Sequence, residues 1–288
     1  YANKIGLKKA CVVKQLPDSQ LREIKEREGL GEEVFNIKDA NDALRVSPIL
    51  VQEYIKSARA VPSENVLLFG DLREIVKDRI FNHEKFKGVS STYFKWFNAI
   101  TKGFRRGELT VMTGSTGSGK TTFLSQFSLD FCSKGIPTLW CSFELKNEVL
   151  LSTMIKQFAG ESLDKSEERF EYWADEFAKL PMYFQTFYGS TEVNKILGVI
   201  EYSIYALNVT HVILDNLQFM LSGQGKGFER FELQDDLISK LRTIATERDV
   251  HITLVIHPKK TDDGLDLSVS SIFGTSKSTQ EADNIFII

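Results

Sequence analysis

Cysteine and proline are scarce in this chain, with three of the former and six of the latter in 288 residues. Three thiols at Cys11, Cys132 and Cys141, odd in number and far apart, argue against a disulfide framework and are expected to stay reduced. The four histidines, His83, His211, His251 and His257, share no metal-ligand spacing with them, so a structural zinc site is not expected. No run of about 18 apolar residues occurs, which excludes a membrane span. Nor is positive charge in excess. Lys and Arg number 36 against 39 Asp and Glu, a net charge of −3. A nucleic-acid role would need a local basic patch rather than bulk charge. The sequence shows no internal repeat and no low-complexity tract, and no cleavable or amphipathic leader is visible from Tyr1 onward. Both ends, Tyr1 and the strand-like Asn284–Ile288, read as cut, so a fragment is expected.

What the chain does have is 42% hydrophobic and 26% charged residues, enough to bury a sizeable core in one large domain or two smaller ones. Residues 1–60 are rich in Lys, Glu and Asp. They hold an apolar run at Ala10–Val13, a charged stretch at Gln20–Glu28 and a strand-like run at Val34–Ile37. A helix is expected over Pro48–Ala60, with Ser47 as its cap. Val61–Glu64 reads as a hinge. Over 67–81, Leu72, Ile75, Val76 and Ile80 step as one helix face, which either packs on its own domain or docks on a neighbouring subunit.

From Gly107 the pattern alternates. Strands are expected at Leu109–Thr113, Thr138–Phe143, Met182–Thr186, His211–Leu214 and His251–Ile256. Helices are expected at Thr121–Ser133, Asn147–Phe158, Glu192–Leu207 and Glu232–Arg248. Alternation with short apolar strands predicts an α/β fold with a mostly parallel sheet covered by helices.

Gly114-Ser115-Thr116-Gly117-Ser118-Gly119-Lys120-Thr121 is a complete phosphate-binding loop between an expected strand and an expected helix, and Thr122 continues it. Its glycines let backbone N–H groups turn onto phosphate oxygens, and the helix N-terminus faces the same anion. Lys120 supplies charge to the outer phosphates and Thr121 a hydroxyl to Mg²⁺, so ATP and Mg²⁺ are the expected ligands. Asp215, closing His211–Asp215, is the expected metal-organising carboxylate, although an Asp after a strand is otherwise a turn residue. Glu144, closing another strand, would orient water if that strand neighbours the phosphate-loop strand. His257 ends a third strand and could read phosphate oxygens. His211 and His251 begin strands and receive no role.

These segments resemble the RecA-like, DnaB-like replicative helicases, kin to phage primase-helicases, with mitochondrial replicative helicases nearest. The residues that carry the likeness are Ser91–Phe94, Gly103–Thr110, Ser142–Glu144, Leu214–Asn216, Val255–Pro258 and Ser271–Asp283, over roughly 66–288. Lys102 departs from it, standing where a second glycine is common. The resemblance implies a RecA-like ATPase domain over 91–288, incomplete at its C-terminus. It implies a linker with a subunit-swapping helix over 61–90. Residues 1–60 look like the tail of a primase-type (Toprim) domain, with Lys38–Leu44 as its closing motif and no priming expected. It further implies an ATP-hydrolysing 5′–3′ DNA helicase working as a hexamer or heptamer on single-stranded and forked DNA. A replication polymerase and a single-strand-binding protein would be partners, in the mitochondrial matrix nucleoid. His257 and Gln280 would couple the γ-phosphate to channel loops, in which Lys259, Lys260 and Lys277 would contact DNA. The arginine donated by a neighbouring subunit would lie past Ile288. Against this stand a RecA-like recombinase or other filament-forming ATPase, and a small-molecule P-loop kinase.

Overall fold

The computed structural model describes residues 11–12, 16–57, 59–60, 67–224, 228–259, 267–274 and 276–288. The chain divides into two compact units, Tyr1–Phe81 and Asn82–Ile288.

In the first unit a two-residue strand, β1 (Cys11–Val12), precedes α1 (Asp18–Glu28), α2 (Ala40–Val46), α3 (Pro48–Ser57), β2 (Arg59–Ala60) and α4 (Phe69–Phe81). Leu21, Ile24, Val34, Ala43, Leu50 and Tyr54 form its small core. Two expectations change. Val34–Ile37 is not a strand: Glu32–Asn36 is a 3-10 turn. So short an apolar run carries no period that separates the two, and Val34 and Ile37 are both buried in the same small core. The helix starting at Pro48 ends at Ser57 rather than Ala60, because Arg59–Ala60 pairs antiparallel with Cys11–Val12. Ser47 does cap it, its Oγ accepting from the Ile49 N–H at 3.2 Å. The Val61–Glu64 hinge lies outside the described residues.

The second unit opens with α5 (Lys95–Thr101), then runs β3 (Leu109–Thr113), α6 (Lys120–Ser133), β4 (Thr138–Ser142), α7 (Asn147–Ala159), α8 (Glu167–Ala178), β5 (Met182–Phe184), α9 (Val193–Leu207), β6 (His211–Asp215), α10 (Leu217–Met220), α11 (Phe228–Glu247), β7 (His251–Val255), α12 (Lys277–Glu281) and β8 (Asn284–Ile287). Six strands make one sheet in the order β5-β4-β6-β7-β3-β8, every pairing parallel. Alternation along each strand splits the core. Leu109, Val111, Leu139, Cys141, Val212, Leu214, Ile252 and Leu254 pack towards α9 and α11. Met112, Trp140, Ile213 and Val255 pack with Leu124 of α6 and with Leu150 and Met154 of α7. Trp140, fully buried, still satisfies its indole N–H on Ser128 Oγ at 2.9 Å. Truncating such a residue to alanine costs about 3–5 kcal/mol.

Helix α8 was not expected from the sequence. Its Ser166 cap, accepting from the Arg169 N–H, and the spacing of Phe170, Trp173 and Phe177 are the signals that mark it. Helix α11 begins at Phe228, earlier than the expected Glu232. Among the described residues no helix is long and apolar enough to cross a membrane.

His211 and His251 start adjacent strands at the sheet's N-terminal rim and are buried against Phe104. The His251 Nδ1–H donates to the Arg105 carbonyl at 2.7 Å, and His211 Nε2 pairs with Thr253 Oγ1 at 3.2 Å. Burial pulls His251 down from 6.5 to about 4 and His211 well below 6.5. A depressed imidazole binds fewer protons folded than unfolded, so the stability it contributes is present above about pH 6.5 and lost as pH falls towards 4. The His251 contribution alone should cost about 2 kcal/mol between pH 7 and pH 5. Urea midpoints at those two pH values measure this, and His251→Gln should flatten the slope. A wild-type midpoint that holds steady would mean the rings charge without penalty.

Candidate nucleotide site

Strand β3 delivers the chain to Gly114, and α6 begins six residues later at Lys120. Gly114 has no room for a side chain: a Cβ there would sit 2.3 Å from the Ile288 carbonyl oxygen, where β8 ends beside β3. Gly117 and Gly119 hold φ of 78° and 90°, the left-handed region that turns the loop back on itself.

The loop's interior is built for an anion. The Lys120 ammonium is folded inward, donating to the carbonyls of Gly114 at 2.8 Å and Ser115 at 2.7 Å. Burial lowers its pKa, opposed by the nearby Asp215 and Glu144 charges. Ser118 Oγ, inside the loop, and Thr113 Oγ1, at the end of β3, are buried without a hydrogen-bond partner. Unpaired buried hydroxyls are costly unless something fills the space beside them. Phosphate oxygens fit that need.

Asp215 closes β6 and is buried. Thr121 Oγ1 donates to its Oδ2 at 2.7 Å, so the hydroxyl and carboxylate suited to Mg²⁺ already touch. Burial raises the Asp215 pKa, partly offset by the Thr121 bond. A bound cation would favour its charged form.

The strand carrying Glu144 does not neighbour the phosphate-loop strand, which corrects the condition set by the sequence: β6 and β7 lie between β4 and β3. Glu144 reaches the site because all these strands end at one rim. Beside it stands Asn216, a residue the sequence reading quoted and gave no role. The Asn216 Oδ1 caps α10 by accepting from the Phe219 N–H at 3.0 Å. That bond fixes the amide's orientation and turns its NH₂ outward. One N–H goes to Glu144 Oε2 at 2.5 Å and the other faces His257 Nε2 at 2.8 Å. Nε2 is therefore the acceptor, and the His257 proton sits on Nδ1. The carboxylate and imidazole are 3.7 Å apart. Gln218, also missed, grips His257 by its backbone: its Oε1 accepts from the His257 N–H at 3.0 Å and its NH₂ points to the His257 carbonyl at 3.4 Å. An amide immediately after a strand-ending acid was the available sequence signal.

The remaining predicted residues lie apart. Lys259 is exposed just past β7, its Nζ 3.3 Å from the Ser270 carbonyl, and Pro258 bridges to Ile272. Lys260 lies outside the described residues. Lys277 pairs with Glu281 at 2.9 Å on α12. Gln280 is exposed on the same short helix, outside the Glu144–Asn216–His257 cluster.

The family described as an AAA domain matches residues 92–263. A curated relative, the DNA helicase/primase of Enterobacteria phage T3, is 22% identical over 273 residues. The match covers 88% of this chain and 48% of the relative, so the chain spans about half that protein's length. Among solved structures, an isolated ATPase domain superposes with a TM-score of 0.64 at 16% identity, covering 77% of this chain and 84% of that one. A DnaB-like replicative helicase, solved with its primase interactions, gives 0.62 at 15%, covering 94% and 67%. At those identities the shared property is the fold, a RecA-like α/β core with a parallel six-stranded sheet. The family match takes in the phosphate loop, Glu144, Asp215, Asn216 and His257, and more than half of the sequence; the chain belongs to the AAA domain family.

Proposed function

We propose that this chain is the motor portion of an ATP-driven DNA helicase. The observation that carries the reading is the convergence, at one rim of the sheet, of the Lys120 loop, the Thr121–Asp215 pair and the amide-linked Glu144 and His257. The fold shared with a DnaB-like replicative helicase, and the relative named a DNA helicase/primase, support coupling to DNA rather than to a metabolite.

ATP would lie with its phosphates along Gly114–Thr122. Lys120 must then leave its two carbonyls for the outer phosphates. Thr121 and Asp215 would hold Mg²⁺, which when bound offsets phosphate charge. Glu144 would orient the attacking water and take its proton, with Asn216 as the positioning residue. His257 shares that amide. The strand it ends runs on through Pro258 and Lys259, which ladder against Ser271–Phe273, so a change at the phosphate has a covalent path towards the exposed lysines. Gln280 is proposed as a second coupling residue.

A ring of copies, six or seven, is part of the proposal. Helix α4 buries none of its residues, leaving Phe69, Ile75, Ile80 and Phe81 exposed, an apolar surface suited to another copy of the chain. The 61–90 linker, the primase-like character of 1–60 and 5′–3′ polarity belong to the same reading. So do a Twinkle-like role in the mitochondrial matrix nucleoid, partnership with a replication polymerase and a single-strand-binding protein, and an arginine supplied by the neighbouring copy. All of these rest on the sequence resemblance.

ATP turnover with and without single-stranded DNA tests the motor reading. Stimulation is expected; turnover indifferent to DNA but responsive to a small acceptor would replace it with a kinase. Lys259→Ala with Lys260→Ala should weaken DNA binding and make the salt slope shallower by about 1.4, about 0.7 for each lost phosphate contact. An unaltered slope would take both lysines out of the DNA path.

A further inference from the structure

Bulk charge conceals a strongly basic segment. Residues 83–106 carry six Lys or Arg and one carboxylate, Glu84, a net of +5 that leaves −8 for the rest of the chain. The segment folds around an open cleft of about 510 Å³ whose walls include His83, Phe86, Lys87, Asn98, Lys102 and Arg105. Among the described residues no carboxylate lines it.

The cleft is remote from the nucleotide site. The Arg105 carbonyl accepts from His251, the first residue of β7, which places it at the N-terminal rim of the sheet. Glu144, Asp215 and His257 lie at the C-terminal rim.

Its walls are fixed and its cations are unevenly satisfied. Asn98 is locked to the Ser91 backbone, accepting at 2.7 Å and donating at 2.6 Å. Lys87 pairs with Glu84 and Arg105 with Glu108, both at 2.5 Å. Lys95 and Lys102 are exposed, and neither has an ion-pair partner among the described residues. Lys102 also keeps a left-handed backbone, φ 58°, at the end of α5, a conformation glycine adopts more easily. Seven residues separate the two lysines, about 10 Å along the helix axis. One phosphate group cannot meet both, whereas a chain of phosphates can. Phe86 adds an aromatic wall on which a base can stack.

We propose that this cleft is a second contact for single-stranded nucleic acid, holding its phosphate backbone on Lys87, Lys102 and Arg105, with Lys95 extending the track. The contact needs no bound nucleotide and is separate from the lysines past β7.

The test is fluorescence anisotropy of a labelled oligo(dT) with the full chain, without nucleotide, across a salt series. Lys95→Glu with Lys102→Glu should weaken binding at least fivefold and make the salt slope shallower by about 1.4. Basal ATP turnover should not change. Amine-reactive footprinting read by mass spectrometry should show oligo(dT) shielding Lys95 and Lys102. Unchanged affinity and slope, or no shielding, overturns the proposal. Stronger shielding by a polyglutamate peptide than by oligo(dT) also overturns it, in favour of an acidic protein partner. Lys102 shielded by DNA in a chain whose ATP turnover ignores DNA would sink the motor reading and leave this one standing.

Discussion

Exchanging Glu144 for glutamine is expected to lower ATP turnover by about 10²- to 10⁴-fold, the usual range for a lost general base, with ATP affinity nearly unchanged. The substitution is suited to the site because the bond that positions Glu144 survives it. Asn216 donates to Glu144 Oε2 at 2.5 Å, and a glutamine oxygen accepts that same hydrogen. Only charge and basicity are removed. The Lys120 loop and the Thr121–Asp215 pair, which would bind the phosphates and Mg²⁺, make no hydrogen bond to Glu144. A fluorescent ATP analogue measures affinity and phosphate release measures turnover. Affinity and turnover falling together would make Glu144 a support for the loop rather than the group acting on water. Asn216→Ala separates positioning from chemistry. It leaves the carboxylate in place but unguided, so turnover should fall less than in Glu144→Gln, with ATP affinity again nearly unchanged.

The order in which these residues became visible follows the range of the interactions that fix them. The phosphate loop was legible because its determinants are local: glycines with positive φ, a strand before and a helix after. The strands at Leu109–Thr113 and His251–Val255 were legible for the same reason, as short runs buried on both faces. The position of β4 was not. Strand order is decided by crossover connections and long-range pairing, and nothing within Thr138–Ser142 says that β6 and β7 separate it from β3. Asn216 was hidden for a related reason. Its work is done across 72 residues to Glu144 and 41 to His257, and locally it is only a helix cap. Val34–Ile37 failed differently, because four residues are too few for a period. The basic segment at 83–106 was plain in composition but was masked by a net charge of −3.

Lys120→Met should abolish DNA-stimulated turnover while leaving the free protein no less stable. Two opposing quantities decide this. In the free chain the ammonium is buried and hydrogen-bonds only two neutral carbonyls, Gly114 and Ser115, with the Asp215 and Glu144 charges offsetting part of the cost through space. Burial disfavours its charged form, as the direction of its pKa shift records. A buried cation without a hydrogen-bonded counter-ion is an expense to the fold, and an apolar chain of similar length removes it. The melting temperature should therefore hold or rise. With ATP bound the balance reverses. The same ammonium becomes the charge nearest the outer phosphates, and each hydrogen bond to a charged group is worth about 1.5–3 kcal/mol. Losing two would cut affinity or turnover by at least about 10²-fold, since every 1.4 kcal/mol is a factor of ten. A melting curve and an ATPase assay on one preparation read both effects. Lower stability with turnover retained would make Lys120 a structural residue and remove ATP from the Gly114–Thr121 loop. Stability held with turnover gone is the signature of a side chain kept buried for its ligand.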